Sequence, residues 1–387
     1  MIDQSRPLTS VCSDIGRGHP VYLDSVLTVL RALPGFEPRM IETISCNRFD
    51  HGLSGLAWRA VRLGYSFGAL GGPATWLYNQ LRSPRTRPSA IQLWLLGSDL
   101  RRELTGYDGV CLVDHPLLAA ILQDTCRVAY LHAEIAAPRP AAVPEAWRTF
   151  VPLEWTAARL EAFGVRRENI VVTGLVIEPE LLAVAEAAFK ARLDRLATTT
   201  PLTVGFFISG AYPRPHALKL IAAAASTTAA GHRALIFWGQ GWLRAAKVQV
   251  NLRKLNVPED KARLVWSRSR SDETARSAAT LPELDVMVAA AHERTNWAVG
   301  LGLPMFALLP HIGPFAKENY EFAAAQEVCL KLDSMDAAYG FGGLLNELRD
   351  SGRLAAMARS GWGRLPVNGA EETARCLLGS IDARTSG

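Results

Sequence analysis

Residues 285–310 limit what this chain can fold into more than any other stretch. Val286 to Ala290 is a short apolar run, His292 to Asn296 a polar turn, and a helix is expected from there to about Gly300. Gly302-Leu303-Pro304 breaks it, and Met305 to Leu309 is a second apolar run. Two runs of strand length joined through one helix make a right-handed βαβ unit, and so part of a parallel sheet. Ligands of such sheets bind beyond the carboxyl ends of the strands, where a helix N-terminus offers unpaired N–H groups and partial positive charge. His292, Glu293, Arg294, Thr295 and Asn296 occupy that position.

The same grammar opens the chain. Leu8 to Cys12 reads as a strand, Ser13 to Pro20 as a turn, and Tyr22, Val26, Val29, Leu30 and Leu33 recur at helical spacing. Gly16 and Gly18 let the backbone approach a ligand, and His19 stands at the helix N-terminus. The third glycine of a dinucleotide fingerprint is missing and no acidic residue closes a strand at the expected distance, which sets NAD binding aside. Tyr107 to Val113 is a further strand, ending in Asp114-His115-Pro116. Arg127 to Leu131 repeats the pattern and ends in His132-Ala133-Glu134. Several strand ends thus bring His19, Asp114, His115, His132 and Glu134 to one sheet edge, where they make a binding cleft the expectation.

Further short strands follow at Arg148 to Pro152 and Ile170 to Gly174, and Glu180 to Ala197 reads as a helical connector. The alternation then restarts, with a strand at Leu202 to Ile208, the turn Ser209-Gly210-Ala211 and an alanine-rich helix from His216. A strand at Ala234 to Trp238, the turn Gly239-Gln240-Gly241-Trp242, a strand at Arg263 to Trp266 and the 285–310 unit complete it. A chain of 387 residues is too long for one core. The expectation is an α/β chain of two Rossmann-like parallel-sheet domains facing across a cleft: residues 1–178, a connector 179–200, residues 201–365, and a C-terminal helix or tail 366–387.

Six scattered cysteines form no Cys-x-x-Cys pair, which points to reduced thiols and to neither disulfide nor zinc. MIDQSRPLTS carries no apolar signal core, and no uninterrupted apolar stretch approaches the ~18 residues of a spanning helix. These readings imply a cytoplasmic chain that at most lies on a membrane. Residues 48–102 hold eight arginines against Asp50 and Asp99, a local net of +6 in a chain whose total is +5. Trp58, Tyr65, Phe67, Trp76, Tyr78 and Trp94 are interleaved with them. Basic and aromatic residues together suit an anionic membrane surface or an anionic lipid acceptor; two amphipathic helices with solvated arginines are the plainer reading. No nucleic-acid module is present, and the charge is local, which speaks against DNA or RNA.

Gly16-Arg17-Gly18-His19, Asp114-His115-Pro116-Leu117-Leu118, Phe150-Val151-Pro152, Ile170-Val171-Val172-Thr173-Gly174, Gly302-Leu303-Pro304 and Glu318-Asn319 follow one another in an order that resembles the type B, two-Rossmann-domain glycosyltransferases. The branch of monogalactosyldiacylglycerol synthases and of the N-acetylglucosaminyltransferase acting on the lipid-linked peptidoglycan precursor is the most similar, over most of residues 8–335. The resemblance implies a nucleoside diphosphate sugar, usually UDP-linked, held by the C-terminal domain, and a lipid or glycan acceptor held by the N-terminal one. It implies inversion at the anomeric carbon and no bound metal, with helix N-termini and backbone N–H groups stabilising the departing diphosphate.

On that footing the helix after His292, Glu293, Arg294 and Thr295 points at the diphosphate. Gly210, Gln240, Trp266 and Ser267 line the nucleotide, and Glu318 and Asn319 meet the transferred sugar. His19, Asp114 and Glu134 are the candidate bases, with His19 favoured because imidazole titrates near neutrality. The pattern departs from the family at Trp297, where a ribose-binding glutamate is expected, and in turns poorer in glycine. An epimerase on the same frame, and a homologue that binds sugar nucleotides without turnover, are the alternatives.

Overall fold

The computed structural model describes residues 6–14, 17–49, 52–81, 87–210, 212–240 and 242–385. Gly16 lies outside them. The chain divides into two compact units. One comprises Met1–Phe67, Tyr78–Pro179 and Pro366–Gly387; the other comprises Gly68–Leu77 and Glu180–Leu365. The C-terminal helix Gly369–Thr385 therefore belongs to the first unit, where it packs on the helix Gly18–Ala32.

The first unit is built on strands β1 (Leu8–Cys12), β2 (Ile41–Ser45), β3 (Val110–Val113), β4 (Arg127–Leu131), β5 (Arg148–Val151) and β6 (Ile170–Val172). All pair in parallel in the order β2-β1-β3-β4-β5-β6. Alternate residues feed two cores. Val11, Cys111, Val113, Val128 and Tyr130 meet Trp58 and the helices Ala90–Leu104 and Pro116–Leu122, whereas Leu8, Leu112, Ala129 and Leu131 meet the helices Gly18–Ala32 and Gly369–Thr385. A sheet buried on both faces needs near-continuous apolar strands, and the central strands have them.

The second unit is built on β7 (Thr203–Phe207), β8 (Arg233–Gln240), β9 (Ala262–Ser267), β10 (Val286–Ala289), β11 (Met305–Leu308) and β12 (Cys329–Leu332). It too is all parallel, in the order β12-β11-β10-β7-β8-β9. Numbered from its own first strand and read from the other edge, this is the 3-2-1-4-5-6 order of dinucleotide-binding sheets. The two sheets reverse direction between β1 and β3 and between β7 and β10. A doubly wound sheet opens its ligand crevice at that reversal.

The unit read first from the sequence is present, with a helix at Thr295–Leu301. Two features end that helix sharply. Gly302 closes it at φ +58°, and a Cβ there would come within 2.5 Å of the Ala358 carbonyl, so only glycine fits. Arg192, fully buried, donates from Nη1 to the carbonyls of Leu301 and Gly302 at 3.0 and 2.9 Å and from Nε to Leu284 at 2.9 Å. Burial lowers its pKa to about 10, which leaves it charged at neutral pH. A cation on the last carbonyls complements the helix dipole and fastens the helix Pro179–Leu196 to the βαβ unit.

Among the described residues no helix is long and apolar enough to cross a membrane.

Candidate functional site

In the first unit the reversal between β1 and β3 is occupied by Ser13 and Asp114. The Asp114 carboxyl, 1% exposed, accepts from the Ser13 backbone N–H at 2.9 Å and from its hydroxyl at 3.0 Å. Burial raises its pKa from 3.8 to about 7, opposed by the Ser13 hydrogen bonds and helped by the charge of Asp14. A carboxyl that changes charge near neutral pH is matched to proton transfer. Asp14 itself stands at φ +49° and accepts from Ser45 at the end of β2 and from Asn47 beyond it.

His115 caps the helix Pro116–Leu122 by accepting the Leu117 N–H on Nδ1 at 3.1 Å, so its Nε2 carries the proton. The half-buried His19 lies edge-on to it, ring centroids 4.8 Å apart. Gly18 begins the helix in which His19 is the second residue. Beside them the buried Arg17 and Glu178 approach to 3.7 Å. His132 is fully buried, and since a carbonyl can only accept, its Nε2 donates to Ala136 at 3.0 Å while Nδ1 accepts from the Tyr130 hydroxyl at 2.9 Å. Burial holds its pKa at about 4, and this neutral ring braces the loop carrying the buried Glu134. Of the three expected bases, Asp114 has the environment that tunes a carboxyl to neutral pH.

In the second unit the reversal between β7 and β10 is flanked by Gly210 in an exposed turn and by the residues after Ala290. Glu293 and Arg294 turn inward. Arg294 pairs with Glu293 at 2.7 Å and with Glu273 of the helix Arg270–Thr280 at 2.9 Å, and its guanidinium lies 4.5 Å over the Phe207 ring. All three charged groups are buried. Trp297, 1% exposed, packs edge-on to Phe207 at 5.6 Å. The position where the resemblance puts a ribose-binding carboxylate is thus a core position here. Thr295 is fully buried, and its hydroxyl oxygen has no hydrogen-bond partner among the described residues.

Three basic side chains that sequence spacing did not single out as site residues, His216, Lys219 and His311, join His292 at the same edge. His216, at the start of the helix Arg214–Ala229, donates from Nε2 to the Pro310 carbonyl at 2.8 Å beyond β11. Burial, opposed by the Pro310 hydrogen bond and helped by the charges of His292, Lys219 and His311, lowers its pKa to about 4. His292 is held down chiefly by burial and bonds to the Ile312 carbonyl; His311 is likewise lowered by burial. Lys219 donates to the Leu309 carbonyl. Asn319, fully buried, donates to the Ala291 carbonyl at 3.1 Å and so ties the helix Ala316–Ala325 to the turn after β10, and Glu318 is half-buried beside it. Trp266, 37% exposed, and Ser267, buried with a hydroxyl oxygen that has no partner among the described residues, end β9 at the far edge of the sheet. Gln240 ends β8 opposite Ser267.

No family model matches the chain, and no curated protein matches it in sequence. Solved structures do match it in fold. The UDP-GlcNAc 2-epimerase of Neisseria meningitidis, bound to UDP-GlcNAc, is 12% identical, with 98% of this chain and 100% of that one covered at a TM-score of 0.57. A putative UDP-N-acetylglucosamine 2-epimerase of Listeria monocytogenes is 11% identical, covering 98% and 97% at 0.59. The UDP complex of S. aureus MnaA is 11% identical, covering 98% and 96% at 0.56. Identities this low establish the fold: the chain is an α/β, two-domain, GT-B-like protein.

Among the described residues no three His, Cys, Asp or Glu side chains are placed to share a metal ion.

Proposed function

We propose that the chain binds a UDP-linked sugar on its second unit and transfers the sugar to an acceptor hydroxyl bound by the first. The observation that carries this reading is the buried Asp114 carboxyl at the β1/β3 reversal, with its pKa of about 7. Its carboxylate takes the acceptor O–H proton as the oxygen attacks the anomeric carbon, and the bond from that carbon to the diphosphate breaks with inversion. Base catalysis of this kind contributes about 10²–10⁴ in rate. The basic group of His216, His292, His311 and Lys219, with the backbone N–H groups of residues 292–296, is suited to the diphosphate, and no cation is required. Glu293 and Arg294 act as struts that hold this turn in place. The acceptor class that the resemblance implies is a lipid or envelope glycan.

A second reading is epimerisation of the sugar nucleotide itself. Asp114 and Glu134, two buried carboxyls at successive strand ends, favour it, as does the likeness of the fold to structures described as UDP-GlcNAc 2-epimerases. One experiment separates the readings: a panel of UDP-sugars is incubated with the protein, with and without glycolipid acceptors, and products are resolved by NMR. Transfer yields UDP and a glycosylated acceptor, or slow hydrolysis when the acceptor is omitted. An isomeric UDP-sugar formed without acceptor supports epimerisation, and no product from any donor leaves a binding protein without turnover.

A further inference from the structure

The helix Gly52–Gly68 carries an apolar stripe over which nothing packs among the described residues. Leu53, Leu56, Leu63 and Phe67 are 65, 60, 70 and 44% exposed, and Ala60 between them is exposed as well. The spacing is three, four, three, four, so the five residues fall within an arc of about 80° on a helix turning about 100° per residue. The opposite face is anchored: Trp58 is buried and its Nε1–H, together with the Ser54 hydroxyl, donates to the Leu96 carbonyl at 3.0 and 2.9 Å. The helix that supplies Leu96 exposes two more large side chains, Ile91 at 72% and Trp94 at 56%. An exposed stripe of this kind on a helix whose other face is fixed in a core marks an interaction surface.

Charge identifies the occupant. The helix contains Arg59 and Arg62 and no acidic residue, within a segment of net +6. Arg59 lies about 40° beyond the edge of the stripe at the same helical pitch. A second copy packed along this seam would bring the two Arg59 side chains together near the symmetry axis, and like charges beside an apolar seam oppose pairing. An anionic lipid surface accepts both features, the leucines entering the acyl boundary and the exposed Arg59 meeting headgroup phosphates, and tryptophan is enriched at that depth. We infer that the exposed face of the helix Gly52–Gly68 docks the protein on anionic membranes. The face stands independently of the sugar-nucleotide reading, and either can fail without the other.

The test is co-sedimentation of the full-length protein with vesicles of phosphatidylcholine alone or with about a third phosphatidylglycerol, each juxtamembrane basic residue adding roughly fivefold in affinity at low salt. The protein is expected to partition at least tenfold better onto the anionic vesicles. L56Q/L63Q is expected to cut that partitioning by about a hundredfold, since each buried leucine is worth about tenfold or more. R59Q should cut the preference for anionic lipid roughly fivefold. Circular dichroism melts of the variants should match the parent, because the altered side chains are exposed. Equal partitioning of parent and L56Q/L63Q, or no binding to either vesicle, overturns the inference. So does a dimer in sedimentation velocity that L56Q/L63Q converts to monomer, which would make the occupant a second copy.

Discussion

Asp114→Asn tests the chemistry of the first unit without any substrate. In the folded chain Asp114 holds its proton up to about pH 7, whereas unfolded it ionises near 3.8. Between those values the folded state binds the extra proton, so its stability is full below about pH 4 and is lost as pH rises through 7. About three pKa units at about 1.36 kcal/mol each make the loss about 4 kcal/mol. Asparagine keeps the shape and an acceptor for the Ser13 N–H but does not ionise. His132 and His216, both lowered from 6.5 to about 4, add a dependence of the opposite sign: their stability is present above pH 6.5 and lost toward pH 4. They are common to both proteins and cancel in the difference. Hydrogen exchange of the β3 amides, measured for parent and variant at each pH from 4 to 8, reports the opening free energy of this sheet. The variant should gain about a thousandfold in relative protection across that range. A ratio that stays constant with pH would mean that Asp114 titrates like a solvent-exposed aspartate, and the acid–base reading of the site would fall with it.

With a donor and acceptor in hand, kcat/KM should rise with pH to a plateau with an apparent pKa near 7, and Asp114→Asn should lower kcat by about 10²–10⁴ at pH 8; a flat profile from pH 5 to 9 contradicts the assignment. Arg192→Met strands the carbonyls of Leu284, Leu301 and Gly302 in the interior, so urea unfolding of the second unit should show a loss of about 3–5 kcal/mol; a loss under about 1 kcal/mol would show that the arginine fastens nothing. A diphosphate beside His216 raises its lowered pKa, so UDP binding near pH 6 should take up a fraction of a proton, read from binding heats in two buffers of different ionisation enthalpy. Equal heats, or uptake undiminished in His216→Asn, would remove His216 from the site.

The central strands of both sheets were legible because a strand buried on both faces reads as an unbroken apolar run, as Val110 to Val113 and Met305 to Leu308 do. β2 and β12 were not. Both are edge strands of four or five residues, Ile-Glu-Thr-Ile-Ser and Cys-Leu-Lys-Leu, each buried at only two positions, too few to stand out from a loop. The polar helix Trp242–Lys254 was hidden likewise behind its Gly239-Gln240-Gly241 turn. At the site, sequence position was enough to put Asp114, His115 and Glu134 at strand ends. It could not show that Ser13, 101 residues away, grips Asp114, or that His216 reaches a carbonyl 94 residues on. The inward turn of Glu293 and Arg294 depends on Glu273, which sits on a different helix. Contacts of that range follow from the fold and leave no local periodicity to read.

The central claim is that the second unit grips a nucleoside diphosphate. Calorimetric titration of UDP into the purified protein, with uridine titrated in parallel, tests it most directly. The account predicts a saturable heat for UDP and an affinity at least tenfold above that of uridine, the margin coming from the diphosphate. Equal affinity for the two, or no heat with UDP or any other nucleoside diphosphate, would contradict it.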